Sequence, residues 1–151
     1  MSDPTHTHTP GSGQEPYRGE AGFWVQPEEA ESESDALAFQ PAFYDVASLP
    51  GFAPAPGIQM NVMTGGSMMM NWVRIDPGAG VPTHAHPHEQ IGLVLEGTIE
   101  MTIDGETRTL SPGHAYTIPG HLPHAAVGGP GGCVVIDVFS PPREEYRTAA
   151  S

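Results

Sequence analysis

Short stretches in which hydrophobic and polar residues alternate dominate the chain beyond Gly57. The clearest is TIEMTI at 98–103, where every second residue is apolar. Such alternation is typical of a strand with one solvated and one buried face. Turn-forming residues separate the stretches about every eight to twelve residues, the spacing of a β-sandwich or barrel. The pattern predicts strands near 58–63, 68–75, 91–96, 98–103, 106–110, 115–118, 124–127 and 133–139.

Turn signals join these strands. Asp104-Gly105 is a two-residue hairpin signal that leads from one alternating stretch into the next. Glu96-Gly97 predicts a second turn. No stretch keeps helical periodicity over three turns, so the fold class is all-β. The segment from Pro142 onward is expected to form a short terminal helix or a frayed end.

The two ends of the chain differ from its middle. Residues 1–36 combine a Pro-, Gly-, Ser- and Thr-rich stretch with the acidic run EEAESESD, which predicts a mostly disordered acidic tail. Within it, Phe23-Trp24-Val25 could dock on the barrel or add a strand to another subunit, and His6 and His8 are interpreted as solvated tail residues. Residues 37–143 are predicted to form a single barrel and 144–151 a C-terminal tail.

Charge narrows the set of partners. The chain of 151 residues carries 18 acidic and 5 basic residues, a net charge of −13. A field of this sign repels phosphate backbones and anionic membranes, so we expect neither nucleic acid nor a membrane as partner. The chain lacks an apolar run of the roughly 18 residues that a membrane span needs and a basic-then-apolar signal pattern. Cys133 is the only cysteine, which excludes an internal disulfide, and a cytoplasmic location is expected.

Histidines concentrate in the segment HAHPH. His84 and His86 are two residues apart, a spacing that places both side chains on one face of a strand. Gln90 is expected to begin the next strand and to point an amide oxygen into the same cavity, and His124 follows a proline-rich turn that would hold it opposite. These residues predict one divalent metal site. The alternative is a metal-free cluster, which is disfavoured because converging imidazoles repel once protonated and fill a core poorly.

The remaining histidines are interpreted differently. His88 and Glu89 lie in a turn and are expected at the rim of the site. His114 follows Gly113 and is expected on the surface. His121 either lines the mouth of the barrel or packs within its loop, and the sequence leaves this open.

The C-terminal strand carries a second group of candidates. Asp137 interrupts an apolar run, and Phe139 shares its face because strands have a period of two. If that face is the cavity, Asp137 is a candidate acid or base, with Arg143 at the rim to bind a substrate carboxylate. The alternative is a structural ion pair between Asp137 and Arg143.

Two segments resemble the motifs of the cupin superfamily. GAGVPTHAHPHEQIGLVLEG resembles the first motif and GHAYTIPGHLPH the second. The resemblance implies a double-stranded β-helix barrel, or jelly roll, with a metal inside its mouth. Three positions depart from the pattern: Gln90 stands where Glu is usual, the glycine expected at His121 is at Gly120, and Gly128 replaces an asparagine. The Gln leaves a neutral ligand set that suits Zn²⁺, Mn²⁺, Fe²⁺ or Ni²⁺ and keeps the ion electrophilic.

HAHPHEQIGLVLEG, TIDGE and DVFSPPREEY further resemble small single-domain cupins of pectin and alginate breakdown. Those proteins open 4,5-unsaturated monouronates to linear keto sugars. The resemblance implies that the metal ligands are His84, His86, Gln90 and His124. It also implies that Asp137 moves a proton, Arg143 holds the uronate carboxylate and Phe139 is the functional aromatic residue.

Three functions are therefore compared. A uronate ring-opening enzyme predicts a polar cavity that contains Arg143. A cupin-type polyketide cyclase or dioxygenase predicts an apolar cavity, for which the Met68-Met69-Met70 run is a candidate lining, although adaptable core packing explains that run as well. A non-catalytic small-molecule- or metal-binding barrel predicts that Asp137 faces solvent. An enzyme is favoured, because a neutral ligand set with open positions suits Lewis-acid chemistry. A homodimer is also expected, with segment 37–49 or 23–25 as the exchanged strand.

Overall fold

A computed structural model of the protein describes residues 41–150. The tail predicted for residues 1–36, with His6, His8 and the segment 23–25, lies outside the described residues. Eight strands and a short helix follow a 3₁₀ turn at Val46–Ser48: β1 (Gly51–Ala55), β2 (Ile58–Thr64), β3 (Met69–Ile75), β4 (Gly80–His84), β5 (Glu89–Ile103), β6 (Glu106–Leu110), β7 (Ala115–Ile118), β8 (His124–Ser140) and α1 (Glu144–Ala149).

All strand pairs are antiparallel. The main path through the sheet is β1-β2-β3-β8-β5-β6, while β4 pairs with β8 and β7 pairs with β5. The long strands β5 and β8 pair with each other along most of their length and also carry the shorter strands. The predicted all-β barrel is confirmed.

The continuity of β5 and β8 differs from the sequence prediction. We predicted a turn at Glu96-Gly97, and this prediction is wrong because β5 runs through both residues to Ile103. The register of β5 against β8 shifts there, and Gly97 has φ +67°. A Cβ on Gly97 would lie 2.0 Å from the carbonyl oxygen of Gly132. The glycine therefore lets one strand bend tightly against its partner instead of ending.

The hairpin at Asp104-Gly105 is confirmed. Both residues have positive φ, 48° and 82°, as a two-residue hairpin turn requires. The turn pairs Ile103 with Glu106 and so sets the register of β5 against β6. Strands β1 and β4, which the alternation pattern did not predict, complete the sheet.

The core lies between the two halves of the sheet. Burial alternates along β2 and β3, so that one face of each strand packs inside, as period two requires. The buried apolar residues include Ile58, Met60, Val73, Ile75, Val94, Ile99, Met101, Ile118, Val135 and Phe139. Within the methionine run, Met69 is fully buried whereas Met68 is 54% exposed. Of the two interpretations of the methionine run, Met69 therefore fits that of an adaptable core residue.

The C-terminal segment forms helix α1 and returns to the barrel. The ring of Tyr146 in α1 lies 5.4 Å from that of Phe52 and 5.8 Å from that of Phe139. These contacts hold α1 against the barrel and bring Arg143, the residue that precedes the helix, to a buried position.

Candidate metal centre and cavity

Three imidazoles meet at one end of the barrel and form the histidine cluster (His84, His86 and His124). His84 ends β4 and is paired directly with His124, the first residue of β8. Their ring centroids are 4.3 Å apart, and that of His86 lies 4.8 Å from that of His124. The nitrogens that could bind an ion all lie within 4.8 Å of one another. Strand β4 ends before His86, so the turn, and not the predicted shared strand face, brings this ring to the cluster.

The three rings are held in the same tautomer. In each, Nδ1 lies within hydrogen-bond distance of a backbone carbonyl oxygen and donates its proton to it. The pairs are His84 with Pro82 (2.8 Å), His124 with Leu122 (2.8 Å) and His86 with His88 (3.1 Å). Each Nε2 therefore keeps a free lone pair directed into the cluster. Orientation of metal-binding imidazoles through the second ring nitrogen is usual in metal sites.

Gln90 supplies a fourth donor atom. Its Oε1 lies 3.2 Å from Nε2 of His86, and its amide group also hydrogen-bonds the carboxylate of Asp137, which orients the amide nitrogen away from the cluster. With the His86 proton on Nδ1, two lone-pair atoms face each other at this distance, an arrangement that a shared cation would stabilise. Among the described residues, Nε2 of His124 is buried without a hydrogen-bond partner. This donor set fits a divalent transition-metal ion.

Two imidazoles of the cluster, those of His86 and His124, are neutral near pH 7. Burial lowers the pKa of His86 to about 4, and the positive charge of Arg143 and the neighbouring imidazoles act in the same direction. Burial also lowers the pKa of His124, although its hydrogen bond to Leu122 opposes the shift. Neutral imidazoles are the form that binds metal ions.

We expect the metal-free protein to lose stability as the pH falls from about 6.5 to about 4. His86 takes up a proton near pH 6.5 in the unfolded chain but only near pH 4 in the folded one, so the unfolded state binds more protons in this window. The free energy of unfolding therefore decreases as the pH falls through it. His86→Gln should make this decrease shallower, as measured by denaturant unfolding at a series of pH values.

The comparison has a matched control. The pKa of His124 is also lowered, so this residue also makes the protein less stable as the pH falls. His86→Gln should therefore reduce the slope of the free energy of unfolding against pH but not abolish it. Asp137, whose pKa is raised, contributes with the opposite sign in both proteins. His114→Gln removes an exposed imidazole outside the cluster and is the control for the substitution itself. Equal slopes in all three proteins would contradict the assignment of this effect to His86.

Below the histidine cluster lies a cavity that also contains Asp137 and Tyr116. The hydroxyl of Tyr116 donates to Oδ1 of Asp137 at 2.5 Å. Burial raises the pKa of Asp137, while hydrogen bonds from Tyr116 and Gln90 and the charge of Arg143 oppose the rise. Burial and the adjacent carboxylate raise the pKa of Tyr116 far above its usual range, so the phenol stays protonated and serves as donor. Asp137 thus lies on the face that lines the cavity, the condition under which the sequence made it a candidate acid or base.

The cavity is small and mixed in character. The space that admits the centre of a water-sized molecule measures about 50 Å³. Apolar side chains form much of its wall, among them Met60, Val73, Met101 and Val135. The polar lining consists of Asn71, His84, Gln90, Tyr116, His124, Asp137, Arg143 and Tyr146.

Gly92 allows Tyr116 to reach Asp137. It is paired with Asp137 of β8 on one side and with Tyr116 of β7 on the other, so the three residues share one face of the sheet. A Cβ on Gly92 would lie 2.0 Å from Cζ of Tyr116 and 2.3 Å from its hydroxyl oxygen. The phenol ring therefore crosses the sheet over a residue that has no side chain.

Gly92→Ala should displace the Tyr116 ring and break its hydrogen bond to Asp137. We expect a loss of about 1–3 kcal/mol in the free energy of unfolding, as for other overpacked core positions. Gly80→Ala in β4 is the control, because its Cβ would meet nothing closer than 3.6 Å. Denaturant unfolding of both variants checks the prediction, and equal stabilities would contradict it.

Arg143 lies inside the cavity and not at the rim where it was expected. It is 9% exposed, and its guanidinium stacks 3.9 Å from the ring centroid of Tyr146 and 5.2 Å from that of Phe139. Nε and Nη2 both lie 2.8 Å from Oε1 of Glu145. Among the described residues, the ion pair of Arg143 is with Glu145, so the alternative of a structural Asp137–Arg143 pair finds no support.

Phe139 is nearly fully buried and contacts the cluster directly. Its ring packs edge-on against that of His86 at 5.6 Å and against that of Tyr146 at 5.8 Å. It therefore supports one histidine and lines the cavity at the same time.

The other histidines lie around the cluster. His88 is partly buried beside His86, and Glu89 and His114 are exposed, the ring of His114 accepting a hydrogen bond from the Ser111 amide. The side chain of His121 is exposed, and its backbone amide donates to the carbonyl of His86 at 2.7 Å. The cupin pattern expects a glycine at position 121, whereas this chain has it at position 120. The structure gives a local reason for Gly120, because a Cβ there would lie 2.5 Å from the carbonyl oxygen of Pro87.

Sequence reasoning missed three residues of the cavity: Asn71, Tyr116 and Tyr146. A signal existed for Asn71, since it interrupts the apolar stretch MMMNWV as Asp137 interrupts its own strand. Tyr116 and Tyr146 carry no comparable signal, because their positions depend on pairing and docking between distant segments.

Fold and site together define a small antiparallel barrel with an internal three-histidine cluster that could hold a metal ion. Residues 71–139 match the family model described as the cupin domain. The pectin degradation protein KdgF of Dickeya dadantii (strain 3937) is 37% identical over 92 residues, which cover 60% of this chain and 84% of that protein. The chain therefore belongs to the cupin family.

Solved structures agree with this assignment. KdgF from Halomonas sp. is 36% identical, with a TM-score of 0.66 over 70% of this chain and 98% of its own. An RmlC-like cupin from Shewanella frigidimarina NCIMB 400 is 30% identical, with a TM-score of 0.66 over 71% of this chain and 96% of its own. Within residues 41–150, no helix has the length and apolar character needed to cross a membrane.

Proposed function

We propose that this protein is a metal-dependent enzyme that opens 4,5-unsaturated monouronates to linear keto sugars. The observation that carries the proposal is that one small cavity is lined by a carboxyl group, an arginine and two histidines, His84 and His124, of the cluster that could hold a metal ion. The likeness to proteins named for pectin degradation supports the same substrate class.

One divalent ion would be held by His84, His86, Gln90 and His124, whose free donor atoms face one another. A bound ion of this kind supplies Lewis-acid polarisation of the sugar oxygens. The four neutral ligands leave its charge undiminished. Gln90 has a second role, because its amide group hydrogen-bonds the carboxylate of Asp137 while its Oε1 faces His86, and it so fixes the position of the acid relative to the cluster.

Arg143 would bind the carboxylate of the uronate. Its Nε and Nη2 already contact one carboxylate oxygen, that of Glu145, whose side chain is 54% exposed. Because the carboxylate of Glu145 is half exposed, that of a substrate can compete with it for the same guanidinium. The stacking of the guanidinium on Tyr146 and Phe139 keeps it in place during the exchange.

Asp137 would move the proton. Ring opening at the hemiacetal carbon releases an aldehyde and an enol, and conversion of the enol to the ketone requires a proton on C4. The reaction is an isomerisation, so the proton taken from the hemiacetal or enol hydroxyl balances the one delivered to carbon. Burial raises the pKa of Asp137, so this carboxyl group holds a proton more readily than an exposed one and can act as the acid or base that general acid–base catalysis requires.

The direct test is turnover by the metal-loaded protein. The ultraviolet absorption of the conjugated double bond of a 4,5-unsaturated monouronate should disappear, and NMR should identify the linear keto sugar. Protein stripped of metal should be inactive and should regain activity on reconstitution. Absence of turnover in the fully metal-loaded protein would overturn the proposal.

The alternatives receive less support. Apolar residues line part of the cavity, as a polyketide cyclase or dioxygenase requires, but Asp137 and Arg143 in the same lining suit a uronate better. A non-catalytic barrel predicts that Asp137 faces solvent, whereas Asp137 lies in the cavity and hydrogen-bonds Tyr116.

A homodimer also remains a proposal. Ile91 and Leu93 on the outer face of β5 are 50% and 38% exposed, and they pair with Val138 and Ile136 of β8. An apolar sheet face of this kind is typical of surfaces that a second subunit covers.

A further inference from the structure

Asn71 is a polar residue buried in the middle of the barrel. Its side chain is 0% exposed and lines the cavity. Among the described residues, neither its Oδ1 nor its Nδ2 has a hydrogen-bond partner. Buried amides are nearly always satisfied, because an unmade hydrogen bond costs stability. An unsatisfied polar group in the wall of a cavity is typical of a residue that binds a ligand, because the functional site retains it despite its cost in stability.

The strand register places Asn71 beside the acid. Asn71 of β3 is paired directly with Asp137 of β8, which is paired in turn with Gly92 of β5. Directly paired residues share a face of the sheet, so Asn71 and Asp137 both point inward. Tyr116 reaches Asp137 from the opposite side, over Gly92. The carboxylate thus has a satisfied donor on one side and an unsatisfied amide on the other.

The chemistry of the amide indicates what it binds. An amide offers one acceptor oxygen and two donor hydrogens, which match a hydroxyl group that both accepts and donates. The surrounding wall is apolar at Met60, Val73 and Val135, so a ligand oxygen at this depth finds few other partners. A polyhydroxylated substrate that reaches Asp137 would necessarily present its neighbouring hydroxyl to this region.

We propose that Asn71 is a substrate-binding residue that hydrogen-bonds a sugar hydroxyl next to the carbon on which Asp137 acts. This inference rests on the proposed function, whose substrate it positions. The inference also gives Asn71 a role in substrate selection. An analogue that lacks this hydroxyl would leave the buried amide unpaired and would therefore be rejected.

The test compares Asn71→Leu with the parent protein, both fully loaded with metal. Leucine has a similar shape without polar atoms, so the unfolding temperature should stay the same or rise. The kcat/KM for the 4,5-unsaturated monouronate should fall by about ten- to a hundredfold, chiefly through KM, because one hydrogen bond to the substrate is lost. Metal content should not change.

Asn61→Leu is the matched control. Asn61 lies on the adjacent strand β2, and its Nδ2 donates to the backbone carbonyl of Leu49 at 3.1 Å. The same substitution should therefore lower the unfolding temperature and leave kcat/KM unchanged. A structural role for Asn71 would give this pattern for Asn71→Leu as well and would overturn the inference.

Binding of a saturated monouronate, measured by calorimetry, separates the two proposals. A parent protein that binds the uronate but does not convert the unsaturated sugar overturns the proposed function alone, and weaker binding by Asn71→Leu then still supports the inference. Equal binding by both proteins overturns the inference alone. A parent protein that neither binds nor converts uronates overturns both.

Discussion

Asp137→Asn is expected to lower the turnover of a 4,5-unsaturated monouronate by about 10²- to 10⁴-fold, the range that general acid–base groups contribute. Asparagine keeps the shape of the side chain and can still accept the hydrogen bond from Tyr116. It cannot take up or release a proton. Among the described residues that line the cavity, Asp137 is the one carboxyl group, so no second carboxyl group can take over that function.

The measurement pairs single-turnover kinetics with metal analysis of the same preparations. Asp104→Asn is the control, since Asp104 is exposed at the hairpin turn, where its positive φ suits asparagine equally well. It should keep the parental rate and metal content. If Asp137→Asn retained more than about a tenth of the parental rate, below the contribution expected of an acid–base group, Asp137 would not be the proton-transfer residue. If it released the metal, its role would be to orient Gln90.

Local patterns were sufficient to predict most strands of the barrel. Alternation with period two is a property of each strand by itself, and the Asp104-Gly105 signal depends only on two adjacent residues. The continuity of β5 is different in kind. Gly97 bends instead of ending the strand because it packs against Gly132, and that contact depends on the pairing of distant segments.

The same distinction applies to the site. The histidines are close in sequence or follow a recognisable turn, so their convergence could be predicted from spacing and from resemblance. The partners of Asp137 could not. Asn71 and Tyr116 reach it through the register of β3 and β7 against longer strands, and Tyr116 also requires the absence of a side chain at Gly92.

Arg143 shows a third limit of sequence reasoning. It was expected at the rim to bind a substrate carboxylate, and it lies buried because helix α1 folds back. The helix Glu144–Ala149 is too short for a hydrophobic periodicity to be recognised. Its docking depends on one aromatic residue, Tyr146, which stacks on the guanidinium and packs edge-on against Phe139.

The largest expected change in metal binding is that of His124→Ala. His124 is 5% exposed, and its Nε2 is directed into the cluster without a partner among the described residues. Loss of groups that merely orient a ligand already costs about 10- to 100-fold in metal affinity. Removal of the ligand itself should therefore cost more, and the variant purified without added metal should contain far less than the parent.

Thermal unfolding gives an independent measure of the same effect. A metal that binds only the folded state adds about 2.7 kcal/mol at a concentration 100 times its dissociation constant. Zinc or manganese should thus raise the unfolding temperature of the stripped parent strongly and that of His124→Ala little. His114→Ala removes an exposed imidazole outside the cluster and should behave as the parent. An equal metal-induced rise in His124→Ala would exclude His124 from the ligands and leave its buried Nε2 without an explanation.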